Sequence, residues 1–218
     1  MAYDIDMKKV DLVTFRDFLG ERYLIPSRRK LRDGLQQNFA ELVKAGLGNL
    51  AELQKALLTT KSRDKLAAKT GIAVEYLDLL KREIDTFRVA SLPLWDFTII
   101  DEQTLLKLRE AGLQTTKDYY DYPEVDSLDL AGDTNDCLRA LCGLVRIKGV
   151  GALTATMFYR AGLRQYRDFL AYSAEEIVRR ITVVNAEKDY HYTKLGMKDV
   201  RYVRDIAKLL EKLADKQG

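Results

Sequence analysis

The sequence contains little of the chemistry on which enzymes and metal sites commonly depend. Its 218 residues include one histidine, two cysteines and three prolines. A single histidine, His191, leaves almost no material for histidine-based catalysis or metal ligation, so we interpret it as an ordinary half-exposed side chain. Cys137 and Cys142 are five residues apart and fall on different faces of a helix, which signals neither a disulfide framework nor a zinc site. We therefore expect reduced thiols, no metal, no cofactor and no enzymatic activity.

Long apolar runs are missing as well. No stretch approaches the roughly 18 consecutive apolar residues that a membrane helix requires. The segment from Met1 to Asp11 is charged, unlike the apolar run of a signal peptide. Hydrophobic residues nevertheless make up 47% of the chain, which is enough to form a buried core. These features favour a soluble, cytoplasmic protein without a membrane partner.

Charge is nearly balanced overall but unevenly distributed. The net charge is +3, yet residues 90–138 carry 3 basic and 11 acidic groups, a balance of −8. Residues 139–182 carry 8 basic and 3 acidic groups, a balance of +5. Local patches matter more than totals for binding charged partners. The basic block is therefore a candidate for binding nucleic acid, and the acidic 90–136 region is a candidate for binding a basic protein partner.

Apolar residues recur at intervals of three and four in nearly every longer segment, which predicts an all-α fold. The first helix should follow Asp11 as its N-cap. Short helices are predicted at 62–69 and 74–84, with Gly71 ending the first of them. Ser173 and Glu176 form a predicted capping box. The last helix, at about 198–214, should pack its apolar stripe on the core. The predicted buried residues of the first helix are Leu12, Phe15, Phe18 and Leu19, and those of the last are Val200, Val203, Ile206, Ala207, Leu210 and Leu213.

The tripeptide Ala-Gly-Leu occurs three times, at 45–47, 111–113 and 161–163. An apolar helix precedes each copy, and an acid follows five residues after the leucine: Glu52, Asp118 or Asp168. This pattern predicts a helix ended by glycine in the left-handed conformation, a leucine under the turn, and an acid in the first turn of the next helix. Three such units indicate a stack of helical hairpins.

The acidic stretch at residues 121–136 contains a proline and a glycine, and we interpret it as a linker or long surface loop. It divides the chain into an N-terminal helical region, residues 1–120, and a C-terminal region, residues 137–218. The N-terminal region holds the first two hairpins, and the C-terminal region holds the third together with the last helix.

The segment "LVRIKGVGALTA" has the spacing L-x-x-I-x-G-V-G-x-x-x-A, supplied by Leu144, Ile147, Gly149, Val150, Gly151 and Ala155. It resembles the helix-hairpin-helix motif of DNA repair and replication proteins. That resemblance implies sequence-independent binding to a phosphate backbone, with DNA favoured over RNA. Glycines let backbone N–H groups approach a phosphate at the start of a helix, which supports the same reading. The candidate nucleic-acid-binding residues are Arg146, Lys148, Gly149, Val150, Gly151, Thr154, Arg160 and Arg164.

The corresponding loops of the other two hairpins lack the pair of glycines. Their sequences are Asp33-Gly34-Leu35 and Ile99-Ile100-Asp101. An aspartate beside the loop would repel a phosphate, so these two hairpins are predicted to be degenerate and purely structural. Only the third hairpin keeps an intact Gly-Val-Gly loop.

Two segments also resemble the halves of an uncharacterised bacterial family, domain of unknown function 4332. Residues 45–80, with Arg63 and Thr70-Gly71-Ile72, are similar to its first half, and residues 144–170 to its second. About 60 residues separate the two segments here, whereas the halves are nearly contiguous in that family. Because the family has no assigned activity, the resemblance implies a fold more than a function.

Two other functions remain open at this point. The chain is a protein-interaction adaptor if all three hairpins are structural and the acidic region engages a basic partner. A DNA glycosylase is the enzymatic alternative, since some of these enzymes place a catalytic aspartate after the hairpin at about the position of Asp168. The repeat offers a simpler explanation, because Glu52 and Asp118 occupy the equivalent positions.

Overall fold

The computed structural model describes residues 3–130, 132–188 and 194–215. Most of these residues are helical, and none of those described belongs to a named β-strand, so the fold is all-α as predicted. The chain divides into two units. One comprises residues 5–88 together with residue 215, and the other comprises residues 3–4 and 89–214.

The unit at residues 5–88 consists of short helices around an aromatic core. The rings of Phe15, Phe18 and Phe87 contact one another, with centroid distances of 5.5 Å for Phe15 to Phe87 and 5.6 Å for Phe18 to Phe87. Phe39 joins them at 6.1 Å from Phe15. The helices are α1 (Leu12–Glu21), α2 (Leu35–Lys44), α3 (Leu50–Ala56), α4 (Thr60–Thr70) and α5 (Val74–Ile84), with 3₁₀ turns at Pro26–Arg32 and Asp85–Phe87.

The predicted start of α1 is confirmed. The Asp11 carboxylate accepts hydrogen bonds from the Thr14 backbone N–H at 2.7 Å and the Thr14 hydroxyl at 2.8 Å. The four predicted apolar residues of α1 are buried. A buried ion pair also lies in this unit, where Arg22 Nη1 donates to Glu83 Oε1 at 2.6 Å. Sequence periodicity gave no sign of that pair.

The unit at residues 3–4 and 89–214 contains the Gly-Val-Gly loop. Its helices are α6 (Glu102–Glu110), α7 (Thr116–Asp121), α8 (Thr134–Leu144), α9 (Ala152–Arg160), α10 (Asp168–Ala171), α11 (Ala174–Lys188) and α12 (Met197–Asp215), with 3₁₀ turns at Leu94–Asp96 and Val125–Ser127. All six apolar residues predicted for the last helix are buried. The Ser173 hydroxyl caps α11 by accepting from the Glu176 N–H at 3.1 Å. The reciprocal half of the predicted capping box is replaced, because the Glu176 carboxylate accepts from Arg179 and Arg180 instead.

The predicted domain boundary at residues 121–136 differs from the division that the structure shows. The units separate between residues 88 and 89, and the acidic stretch lies inside the second unit. Tyr119 of α7 donates its hydroxyl to the Asn135 carbonyl of that stretch at 3.1 Å, and within the stretch the Asn135 amide donates to the Val125 carbonyl at 3.0 Å. Of the two alternatives, a linker or a long surface loop, the stretch is therefore not a linker between the two units, and most of its described residues are exposed or half-buried.

The three Ala-Gly-Leu copies end their helices in the same way, as predicted. Gly46, Gly112 and Gly162 have φ of +91°, +78° and +78°. The leucine after each glycine donates its N–H to the carbonyl five residues earlier, at 3.2, 2.8 and 2.9 Å in turn. This is the bond pattern of a Schellman cap. Leu113 and Leu163 are buried, whereas Leu47 is only half-buried.

The acid that follows each copy reaches back to the connector. The carboxylates accept from the backbone N–H of the residue after the leucine: Glu52 from Gly48 at 2.7 Å, Asp118 from Gln114 at 3.2 Å, and Asp168 from Arg164 at 2.7 Å. The acids therefore do more than complement the helix dipole, because they close the turn that joins the two helices. How the hairpins stack remains a prediction.

None of the helices in the described part of the chain is long and apolar enough to cross a membrane. The same residues contain no group of three or more histidine, cysteine or acidic side chains placed to hold a metal ion. His191 lies outside the described residues.

Candidate nucleic-acid interface

The Gly-Val-Gly loop is a tight turn between α8 and α9, held from the inside by apolar side chains. The Ile147 N–H donates to the Leu144 carbonyl and the Val150 N–H to the Ile147 carbonyl, both at 3.0 Å. Leu144, Ile147 and Val150 are buried. Gly149 and Gly151, in contrast, are exposed. The glycine backbone on the outer side of this turn is therefore accessible to a ligand.

The two glycines serve different purposes. Gly149 has a φ of +85°, which side chains strongly disfavour, and a Cβ added there would lie 4.0 Å from Cε1 of Tyr202. Gly151 has φ −88° and ψ 178°, a conformation open to any residue, and no atom lies within 4 Å of an added Cβ. The fold therefore requires a glycine at position 149, whereas the backbone at position 151 would accept another residue.

The start of α9 has no side-chain cap. Gly151 is its N-cap residue and has no side-chain oxygen to accept from the N–H groups of residues 152–154, which also have no intrahelical acceptors. The start of α6 is different, because the Asp101 carboxylate accepts from the Thr104 N–H at 2.9 Å and the Thr104 hydroxyl at 2.7 Å. Those hydrogen bonds lower the pKa of Asp101. The capping donors that α6 uses internally are thus left for an external anion at α9.

The predicted site residues do not form a single cluster. Lys148, Gly149, Val150, Gly151 and Thr154 lie at the turn and in the first turn of α9, with Lys148 and Thr154 half-buried. The backbone of Val150 belongs to this group, but its side chain points into the core.

Arg160 and Arg164 lie at the other end of α9. Arg160 is the last residue of this nine-residue helix, and Arg164 follows in the connector to α10; both are exposed. A helix of that length extends about 13 Å, so these arginines are removed from the turn. Their part in nucleic-acid binding, as an extension of the basic surface, remains a prediction.

The prediction that Arg146 contributes charge at the loop surface is corrected, because Arg146 is an internal residue of this unit. The residue is only 5% exposed. Nε donates to the Tyr3 carbonyl at 2.7 Å, Nη1 donates to the Tyr120 hydroxyl at 2.6 Å, and the guanidinium lies 4.7 Å from the centre of the Tyr120 ring. The side of the turn that carries Val145, Arg146 and Ile147 faces inward, so Arg146 does not supply charge at the outer surface.

Helix α12 contributes residues that the sequence motif did not include. Half-buried Tyr202 is the residue nearest to the position of an added Cβ on Gly149. Lys198 and Arg201 precede it by four residues and one residue, and Lys212 lies further along; all three are exposed. The 3.6-residue period places these three cations along one side of α12; Lys198 and Arg201 are close to Tyr202, whereas Lys212 lies about 15 Å further along the helix. Their separation of about 50 residues from the glycines kept them out of the motif, although the four-residue spacing of Lys198 and Tyr202 was visible in the sequence.

Asp168 is accounted for by the connector. Its carboxylate accepts from the Arg164 N–H at 2.7 Å and the Gln165 N–H at 3.0 Å, just as Asp118 accepts from the Gln114 and Thr115 N–H groups. The position of Asp168 therefore needs no catalytic explanation.

Comparison of the chain with protein-family models, curated proteins and solved structures gives no match. The resemblance to the helix-hairpin-helix superfamily and to domain of unknown function 4332 therefore rests on the residues quoted above.

Proposed function

We propose that this is a non-enzymatic, cytoplasmic helix-hairpin-helix protein that binds the phosphate backbone of nucleic acid without sequence specificity. The observation that carries the proposal is the exposed, uncapped start of α9 behind a two-glycine turn. Backbone N–H groups there donate to phosphate oxygens, and the Thr154 hydroxyl adds a further donor. Amide contacts to phosphate read no base, so binding is independent of sequence.

The charge for this interface comes from Lys148 and from α12. Lys148 precedes the glycines directly. Exposed Lys198 and Arg201 lie on α12, the helix whose Tyr202 would be 4.0 Å from a Cβ added to Gly149. These cations attract the phosphate without fixing its orientation, while the backbone N–H groups of the turn orient it. A single interface of this kind predicts modest affinity, with a Kd of about 10⁻⁴ to 10⁻⁶ M at physiological salt.

The salt dependence of binding tests the proposal. Fluorescence anisotropy of labelled duplex DNA, single-stranded DNA and RNA should show duplex DNA binding best. If about three phosphates are neutralised, affinity should fall by about 40-fold between about 50 and 200 mM salt. Lys148→Glu should weaken binding at low salt, whereas Lys65→Glu, at an exposed lysine of α4, should not. Absence of binding at low salt, or equal effects of the two changes, would contradict the proposal.

A second function, that of a protein-interaction adaptor, is favoured by an exposed apolar groove in the acidic region. Trp95 and Leu106 are 61% and 56% exposed, and they border a cavity of about 510 Å³ with Leu94, Leu105 and Leu113. Exposed tryptophan is typical of the energetic centres of protein interfaces. Because Trp95 is the only tryptophan, its emission reports occupancy directly. Titration with a synthetic amphipathic peptide of leucine and lysine should shift that emission to the blue, and an unchanged spectrum would argue against the adaptor function.

A further inference from the structure

A second basic region forms an open cavity of about 660 Å³ that residues 148–151 do not line. Its walls come from α7, α8, the connector between α9 and α10, and the end of α12. Four arginines line it. Among the described residues that line the cavity, Asp136 is the one with a carboxylate. The arginines are Arg139, Arg146, Arg164 and Arg167. Two of the candidate nucleic-acid-binding residues, Arg146 and Arg164, thus line the same cavity.

The four guanidinium groups differ in how they are held. Arg146 is fixed by its hydrogen bonds to the Tyr3 carbonyl and the Tyr120 hydroxyl. Arg139 pairs with Asp126, and Arg167 pairs with Glu211 at 2.9 Å. Arg164 lies 5.3 Å from the centre of the Tyr159 ring, and none of the described carboxylates lies within ion-pair distance of it. Arg164 is therefore the cation of this cavity that is most accessible to an external anion.

Aromatic rings line the cavity beside the arginines. Tyr120 is held by Arg146, whose guanidinium lies 4.7 Å from the ring centre. Tyr166 lies 5.8 Å from the Arg167 guanidinium. Rings that are fixed in this way offer flat faces on which a planar group stacks at little entropic cost. Guanidinium groups bind phosphate oxygens through paired N–H donors.

We propose that this cavity binds a nucleoside 5′-phosphate, either as a free nucleotide or as the 5′ end of a strand. The arginines recognise the phosphate, and Tyr120 and Tyr166 receive the base. The volume lies within the range of about 300 to 1,000 Å³ that small-molecule sites occupy. Residues 148–151 do not line this site, so the inference can be tested independently of the function proposed above.

Isothermal titration calorimetry with adenosine 5′-monophosphate tests this assignment on the full chain. The nucleotide should bind at least about tenfold more tightly than either adenosine or inorganic phosphate, since each lacks one of the two recognised groups. Arg164→Gln should weaken nucleotide binding by about tenfold or more. Arg160→Gln is the matched control, because Arg160 is also exposed and lies four residues earlier but does not line the cavity. Gly151→Asp, which alters only the turn, should leave nucleotide binding unchanged.

Oligonucleotides that carry a 5′-phosphate or a 5′-hydroxyl distinguish the two sources of the ligand. Tighter binding of the phosphorylated strand, lost in Arg164→Gln, identifies a strand end; binding of the mononucleotide without that preference identifies a free nucleotide. The inference is overturned if neither probe binds at millimolar concentration, if inorganic phosphate binds as tightly as the nucleotide, or if Arg164→Gln and Arg160→Gln have equal effects. Far-UV circular dichroism confirms that each variant is folded.

Discussion

Replacing Gly151 with aspartate should separate the stability of the turn from its phosphate binding. The backbone at 151, with φ −88° and ψ 178°, already has the extended conformation of an N-cap residue. No atom lies within 4 Å of an added Cβ. The new carboxylate should therefore accept hydrogen bonds from the first turn of α9, as Asp101 does from Thr104 at the start of α6.

The two measured quantities should move in opposite directions. An aspartate N-cap is more stable than a glycine N-cap by a few tenths of a kcal/mol, and its charge at a helix N-terminus adds a similar amount. We expect a gain of about 0.5 kcal/mol in the free energy of unfolding, which raises Tm by about 1 to 2 °C. The same carboxylate occupies the donors and repels a phosphate. Losing hydrogen bonds to a charged group costs about 1.5 to 3 kcal/mol, so DNA affinity should fall by about 10- to 150-fold.

Thermal unfolding followed by circular dichroism gives the first quantity, and anisotropy of labelled duplex DNA at about 50 mM salt gives the second. Gln36→Glu is the control, because it adds the same charge in the first turn of another helix, α2, at an exposed position. Unchanged DNA affinity in Gly151→Asp would show that the first-turn amides do not contact phosphate. A lowered Tm would refute the N-cap geometry.

Three further predictions concern the stability of the fold. Asp168→Ala and Asp118→Ala should each lower the free energy of unfolding by about 1 kcal/mol in urea denaturation, because each removes a carboxylate that closes a connector; unequal losses would argue for a special role of Asp168. Glu83→Ala should cost about 3 to 5 kcal/mol in the same assay, since it leaves the buried Arg22 charge without its carboxylate, and a loss below about 1 kcal/mol would contradict this. Burial raises the pKa of Tyr3 and Tyr76 from 10.0 to about 12, so the unfolded chain releases these protons first and stability should decline as pH rises from 10 towards 12. Ultraviolet absorbance of tyrosinate should show both groups titrating late, and normal titration of the folded chain would disprove it.

The local features of the fold were predictable because each depends on a few neighbouring residues. Asp11 and Thr14 define the start of α1, and the Ala-Gly-Leu copies define three helix ends, with the glycine at each end in the left-handed conformation. The apolar stripe of α12 was equally visible in its spacing. Such signals act over one or two helical turns, so tertiary structure changes them little.

The composition of the candidate site was less predictable because it depends on which way side chains point. Arg146 and Lys148 are two residues apart in one basic run, yet Arg146 is internal and Lys148 lies beside the exposed glycines. A turn has no fixed periodicity, so spacing does not separate the inner side from the outer one. Tyr202 and Trp95 were missed for a related reason: the residues around them meet only after the chain has folded, and no short pattern marks them.

The contacts of Tyr3 restrict the order in which the chain becomes structured during synthesis. Its hydroxyl donates to the Ala90 carbonyl at 2.5 Å, its backbone N–H donates to Asp121, and its carbonyl accepts from Arg146. Tyr3 therefore cannot form all of these hydrogen bonds while residues 5–88 are being made, because Arg146 follows it by 143 positions. A fragment that begins at residue 89 would lack Tyr3 and would leave the buried space of its ring unfilled. The unit at 3–4 and 89–214 is therefore built from two parts of the chain, and it can be completed only after residues 5–88 have been made.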